Sequence, residues 1–171
     1  MTTPSGSITI RPLVSEDWEL LREFRLGALK SSPGVFALSY DESASFPPER
    51  WQDSIKGPAH QIFGLLDGSD LIGITAVFSD KEDPTGKTAL LAMSFILPSY
   101  RGRGLSRVLY DTRLDWIRAH PQFTRIVVSH RASNEVSQRA NQRYGFVHVR
   151  TSSKTWPDGS VEDEVFYELN I

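Results

Sequence analysis

A short segment rich in glycine and arginine is the part of the chain best suited to hold an anion. Arg-Gly-Arg-Gly at positions 101–104 follows an apolar run over residues 90–97, which predicts a buried strand. Apolar side chains then recur at helical spacing to Trp116, so a helix is expected to begin near Gly104. Free N–H groups at a helix N-terminus, the helix dipole and nearby guanidinium groups all favour a negative ligand. Glycine also lets that ligand approach the amides, so the segment predicts a phosphate site.

The spacing of the glycines excludes two common phosphate-binding motifs. A Walker loop needs Gly, four residues and Gly-Lys-Ser/Thr, and the dinucleotide fingerprint needs a third glycine after Gly104; neither occurs here. The pattern that fits is Arg/Gln-x-x-Gly-x-Gly/Ala, which runs from Arg101 to Ser106 with serine in its last place. This pattern resembles the pyrophosphate loop of the GCN5-related N-acetyltransferase (GNAT) superfamily. An ordinary surface turn with solvated arginines is the alternative.

Length and composition narrow the possible classes of protein. The chain of 171 residues predicts one domain over residues 1–171, with residues 1–7 as a loose tail. The net charge of −2 argues against bulk nucleic-acid binding, and the absence of cysteine excludes disulfides and thiolate metal sites. No metal is expected. Neither a membrane span nor a signal peptide is expected, so the predicted location is cytoplasmic.

The predicted elements follow the order β, α, α, β, β, β, α, β, α, β, β. Strands are expected at residues 8–12, 60–66, 71–79, 90–97, 125–129, 146–154 and 161–169, and residues 36–46 are expected to form an ordered loop or a short helical turn. This order predicts an α/β (α+β) fold: a mixed, mostly antiparallel sheet of about seven strands with flanking helices. The GNAT superfamily has the same order, so the resemblance covers nearly the whole chain. It also implies that two central parallel strands splay apart.

A second motif lies in the C-terminal third. Asn134 begins a predicted helix that ends at Gly145-Phe146, which resembles the Asn-x-x-Ala … Tyr-x-x-x-Gly-Phe region of the superfamily. In that family the asparagine reaches the pantetheine arm of acetyl-CoA. Asparagine is also a common helix cap, and the two roles can coexist.

The resemblance implies acetyl-CoA as a co-substrate. The loop amides would hold its pyrophosphate, strand backbone groups would pair with its arm, and its thioester would lie where residues 94–97 and 126–129 separate. The expected binding residues are Ser94, Phe95, Ile96, Arg101, Gly102, Arg103, Gly104, Leu105, Ser106, Arg107, Asn134 and Asn141.

The implied reaction is direct transfer, in which a neutral amine attacks the thioester carbonyl. A base, a backbone N–H near Ile96 and an acid would assist it. The tyrosine that serves as the family's acid is replaced by Asn141, and the glutamate base of the ribosomal-protein alanine N-acetyltransferases aligns with Ser129. The remaining candidates for proton transfer are His130, Glu42 and Tyr144. Each also has an ordinary interpretation, as a loop histidine, a solvated acid and a packing residue respectively.

Three functions stay open at this point. The main hypothesis is an N-acetyltransferase that acts on a primary amine, either a small molecule or a protein N-terminus. The first alternative is a non-catalytic acyl-CoA-binding regulatory or sensor domain, because both side-chain catalysts are absent. The second is a nucleic-acid module that uses the five arginines between positions 101 and 118, although two aspartates and the acidic chain disfavour it. Acidic residues, including those at 162–164, favour a cationic acceptor. Dimers are frequent in the superfamily, so a homodimer is left open.

Overall fold

A computed structural model describes residues 7–34, 36 and 38–171, so most of the predicted tail lies outside the described residues. Within these residues the chain forms eight strands and five α-helices. In chain order they are β1 (Ile8–Pro12), α1 (Trp18–Ser31), α2 (Tyr40–Ala44), α3 (Pro48–Ile55), β2 (Lys56–Gly57), β3 (His60–Asp67), β4 (Asp70–Ser79), β5 (Thr88–Ile96), α4 (Leu105–Arg118), β6 (Arg125–Arg131), α5 (Glu135–Arg143), β7 (Val147–Thr155) and β8 (Val161–Asn170).

All the strands join one sheet in the order β1-β3-β4-β5-β6-β8-β7, with the short β2 paired to β3. Only the β5–β6 pair is parallel, so the predicted mixed, mostly antiparallel sheet is confirmed. Strand β2, which is only two residues long, was not predicted. Helix α2 confirms the short helical turn, one of the two expectations for residues 36–46, and Ser39 and Glu42 form a capping box at its start.

Helices cover the two faces of the sheet unequally. Helices α1 and α3 pack on β3, β4 and β5 through a core that includes Trp51, Ile74 and Phe95. Helix α4 packs on the opposite face, over a core that also holds Val128 and Tyr167 of β6 and β8. The α1–α3 core contains no described residue of β6, β7 or β8. That face of the C-terminal strands is therefore open.

The parallel pair of strands separates after three residue pairs. Thr88 to Leu90 pair with Arg125 to Val127, although β5 continues to Ile96. A bulge in β5 accompanies the separation: Thr75 of β4 faces both Met93 and Ser94, and Met93 has a φ of 59°. The predicted splay is confirmed, but on β6 it begins only after Val127. Residues 126 and 127, which were expected to line the gap, are still paired with β5.

No helix among the described residues has the length and hydropathy that a membrane crossing requires.

Candidate functional site

The loop between β5 and α4 exposes a row of backbone donors. Gly102 and Gly104 have φ angles of 77° and 74°, a region that favours glycine, and a Cβ atom at either position would meet nothing within 4 Å. Glycine is therefore needed here for backbone conformation rather than for space. In the described part of the chain, the N–H groups of residues 102–106 donate to no backbone or side-chain acceptor. Five consecutive amides are thus available to an anion.

Arginine side chains surround these amides. Arg101 donates from Nε to the Ile96 carbonyl at 2.8 Å, and Arg103 lies 5.1 Å from the Tyr100 ring. Within the described residues, neither these two arginines nor Arg107 pairs with a carboxylate. Their charge adds to the positive end of the α4 dipole, so the loop carries uncompensated positive charge.

The free edge of β5 leads from this loop into the gap between the strands. Beyond Leu90 the edge that faces β6 has no partner strand. This stretch contains Ser94, which is exposed and hydrogen-bonded to Thr75 at 2.7 Å, Phe95, which is buried, and Ile96, which is partly buried. An extended ligand with its own amide groups can pair with such an edge as an added strand would.

Asn134 caps α5, because its side chain accepts a hydrogen bond from the Ser137 amide at 3.1 Å. The capping role expected from the sequence is thereby confirmed. The side chain is also exposed at the end of β6, so contact with a ligand stays a prediction.

Asn141 belongs to a buried polar cluster between α4 and α5. Its side-chain carbonyl accepts the Tyr110 hydroxyl, whereas its buried Nδ2 atom has no partner. The Tyr110 ring stacks on Tyr144 at 4.6 Å and contacts the buried guanidinium of Arg113 at 4.6 Å. Burial lowers the pKa of Arg113 to about 10. This arginine, one of the five in the basic stretch, is therefore unavailable to a nucleic acid.

The three candidates for proton transfer are each held by other contacts. Tyr144 donates to Asp111 at 2.9 Å, and burial followed by this bond raises its pKa to about 12. His130 is buried on the face of β6 that bears α4 and stacks on Tyr167 at 5.3 Å. The Glu42 carboxylate accepts the Ser39 amide, which holds the pKa of Glu42 below its usual range.

The opposite face of β6 carries a network of charged side chains that the sequence did not reveal. Ser129 donates to Oε1 of Glu164 at 2.8 Å, and Lys154 lies 3.3 Å from Oε2 of the same carboxylate. Arg131 pairs with Asp158 at 2.9 Å. The alternation of β6 predicts that residues 129 and 131 share a face, but only the register of β6 with β8 shows which acid meets which partner.

A cleft lies between the α1–α2 segment and the β7–β8 hairpin. A Cβ atom on Gly34 would come within 2.8 Å of the guanidinium of Arg131, the last residue of β6. The two sides of the cleft are therefore in close contact at Gly34. Beside this contact is a cavity of about 210 Å³, lined by Leu29, Lys30, Pro33, Gly34, Ser39, Tyr40 and Pro157. Arg131, which contacts Gly34 here, shares its face of β6 with Ser129.

Known proteins resemble the chain over most of its length. The phosphinothricin N-acetyltransferase of Streptomyces coelicolor is 23% identical over 152 residues, 86% of each protein. Among solved structures, the acetyltransferase of GNAT family from Streptococcus pneumoniae has a TM-score of 0.84 at 16% identity and covers 96% of this chain and 100% of its own. An acetyltransferase from Salmonella typhimurium, solved with its cofactor acetyl-CoA, has a TM-score of 0.77 at 17% identity, with coverage of 95% and 93%.

These structures share the fold described above. A model of the family described as Acetyltransferase (GNAT) family matches residues 19–146, from α1 to the end of the α5 turn. The chain therefore belongs to the GNAT family of acetyltransferases.

Proposed function

We propose that this protein transfers the acetyl group of acetyl-CoA directly to a primary amine. One observation carries the proposal: the unpaired edge of β5, which borders the gap beside β6, is followed after a short turn at residues 98–100 by the free amides of residues 102–106. Acetyl-CoA presents a pyrophosphate, an amide-bearing arm and a thioester in the same order. The Salmonella structure with acetyl-CoA and the name of the Streptomyces relative support this assignment.

Each part of the site has a role in binding. The amides of Gly102 to Ser106, with Arg101, Arg103 and Arg107, would hold the pyrophosphate. Backbone groups of Ser94, Phe95 and Ile96, together with Asn134, would pair with the arm. Asn141, which the resemblance also assigns to the cofactor, is buried between α4 and α5, so its part in binding stays a prediction.

The chemistry begins with positioning of the amine against the thioester. The amine nitrogen attacks the thioester carbonyl, a backbone N–H near Ile96 stabilises the developing oxyanion, and the C–S bond breaks. The assignments of His130, Glu42 and Tyr144 to proton transfer stay predictions, and the contacts that hold these side chains favour another group. The acceptor would enter from the cleft beside Gly34.

The first test is calorimetric titration of acetyl-CoA into wild type, Gly104→Glu and Gly86→Glu. Gly86 is the matched control, since it has a φ of 70° and open space around its Cβ position but lies in the turn before β5. We expect micromolar binding in wild type and Gly86→Glu, with a loss of at least tenfold in Gly104→Glu. Absence of heat and of a thermal shift in wild type would contradict the proposal.

A second candidate is a sensor that binds acyl-CoA without turnover. It is favoured by Asn141 and Ser129, which stand where relatives carry catalytic tyrosine and glutamate. A panel of putrescine, L-methionine, L-phosphinothricin and an unblocked tripeptide separates the two functions. Release of free CoA thiol with any of these acceptors supports the transferase, whereas binding of acetyl-CoA without release from any of them supports the sensor.

A further inference from the structure

We propose that Glu164 accepts the proton of the attacking ammonium group and that Ser129 positions its carboxylate. The inference rests on the proposed function and names the base that the sequence did not identify. Three observations support it: the position of the carboxylate on the open face, its own contacts, and the hydrogen bonds and ion pairs that hold the neighbouring acids.

The place is set by the register of the strands. Pairing between β5 and β6 ends at Val127, so Ser129 lies on the diverging part of β6. Val128 and His130 are buried toward α4 and α5, and the alternation of a strand turns Ser129 to the opposite, open face. Glu164 of β8 is hydrogen-bonded to Ser129 there, and its side chain is 15% exposed. A carboxylate thus lies on the open face of the sheet, one strand away from the gap and hydrogen-bonded to the strand that borders it.

The contacts hold the carboxylate in place and leave it able to accept a proton. Ser129 donates to Oε1, and Lys154 of β7 lies 3.3 Å from Oε2. Each carboxylate oxygen has two lone-pair directions, so one on each oxygen stays open. The other charged groups near it are Arg131, opposite on β6, and Glu162, two residues away on β8. These two are 4.0 Å apart, and Arg131 also pairs with Asp158.

Neighbouring acids on the same strand are occupied or too far along it. Glu162 accepts the Ser133 amide at 2.6 Å. Glu168 pairs with Arg125 at 3.4 Å and stands opposite Val127, where β5 and β6 are still joined and no gap exists. Asp163 alternates to the other face of β8, the face of Val165 and Tyr167, so Glu164 is the acid best placed among those described on β8 to meet the attacking nitrogen.

The proton balance of the step is complete. Glu164 takes one proton from the ammonium group, and the freed nitrogen lone pair forms the N–C bond to the thioester carbonyl. Collapse of the tetrahedral intermediate breaks the C–S bond. The second proton leaves the nitrogen for the CoA thiolate through water, and Glu164 returns its proton to the solvent.

The test compares Glu164→Gln with Glu168→Gln, using the best acceptor of the amine panel. Removal of a general base costs at least about 100-fold, so at pH 7 we expect kcat/KM to fall by that factor in Glu164→Gln. Acetyl-CoA affinity, measured by calorimetry, should stay within threefold of wild type. In Glu168→Gln both quantities should stay within threefold, because that side chain lies beside the closed part of the sheet.

The dependence on pH separates a base from a structural residue. Without a base, only the neutral fraction of the acceptor amine reacts, and this fraction rises about tenfold per pH unit below the pKa of the amine, which is about 10 for an alkylamine and about 8 for a peptide N-terminus. The loss in Glu164→Gln should therefore shrink steadily as the pH rises from 7 towards that pKa. A loss that stays constant across this range, or a kcat/KM equal to wild type at pH 7, would overturn the assignment.

A second variant guards against misfolding. Glu164→Ala in the presence of sodium formate should regain at least tenfold activity, whereas Glu168→Ala should show no response. Failure of formate to restore a Glu164→Ala protein that melts at the wild-type temperature would also overturn the assignment. If wild type acetylates none of the panel, the proposed function itself has failed, and that result is distinct from an active wild type with an unaffected Glu164→Gln.

Discussion

The Tyr110 hydroxyl donates a hydrogen bond to the side-chain carbonyl of Asn141, and this bond joins α4 to α5 inside the core. Asn141 is fully buried, so its carbonyl has no water to replace the tyrosine. Tyr110 thus brings a phenol hydroxyl to Asn141 from the neighbouring helix.

Tyr110→Phe should lower the free energy of unfolding by about 1–3 kcal/mol, because it leaves a buried carbonyl unpaired. Urea denaturation measures the effect. Tyr144→Phe is the control: its hydroxyl bonds the exposed Asp111, so its loss should stay below about 1 kcal/mol. Equal losses in the two variants would mean that the bond to Asn141 adds nothing.

Arg113→Met should leave stability unchanged or raise it by about 1–4 kcal/mol at pH 7, since apolar residues of similar volume often replace a buried charge at no cost. The guanidinium is buried and meets no carboxylate among the described residues. The measurement is thermal and urea unfolding. A loss of more than about 3 kcal/mol would show that contact with Tyr110 outweighs desolvation.

Asp83→Asn should remove a pH-dependent part of the stability. Hydrogen bonds from Thr85 and Thr88 lower the pKa of Asp83 to about 2, from an ordinary value of 3.8. A lowered carboxyl pKa stabilises the folded state above pH 3.8, and this contribution is lost as the pH falls through 2. Melting temperatures of wild type and variant should therefore differ most at pH 5 and converge near pH 2. A constant difference would contradict the assignment.

Gly34→Ala should weaken binding of the acceptor amine and leave the affinity for acetyl-CoA unchanged. The added methyl group would lie 2.8 Å from the Arg131 guanidinium and 3.1 Å from the Asp158 carboxylate, so the cleft must rearrange. We expect the KM of the amine to rise severalfold while the calorimetric Kd of acetyl-CoA stays constant. Gly86→Ala imposes the same unfavourable φ where nothing lies near the added atom, so it should change neither. A parallel rise in the acetyl-CoA Kd would place the effect elsewhere.

Features that depend on a single strand or helix were predicted correctly from the sequence. The apolar run before Pro98 and the glycines at 102 and 104 predicted a strand, a loop and a helix start, and all three are present. The start of α5 at Asn134 was predicted in the same way, from a residue that caps its own helix.

Features that depend on the meeting of distant segments were not predicted. Glu164 and Ser129 are 35 positions apart and meet through strand register, which no local pattern specifies. Arg113 is a second case, because a charged residue in an amphipathic helix is expected on the solvent side, whereas here it packs between Tyr110 and the core. Glu42 is a third case, since a capping contact within its own helix holds a carboxylate that its place in residues 36–46 had suggested for catalysis.

The three residue pairs between β5 and β6 have a consequence for cooperativity. Among the described residues they are the sole backbone ladder between one antiparallel half of the sheet, β1-β3-β4-β5, and the other, β6-β8-β7. Long antiparallel registers join the strands within each half, whereas the seam between the halves is short. A ligand in the gap would contact both halves of the sheet at once and connect them for as long as it stays bound. Hydrogen exchange at this seam should therefore slow on binding more than exchange within either half.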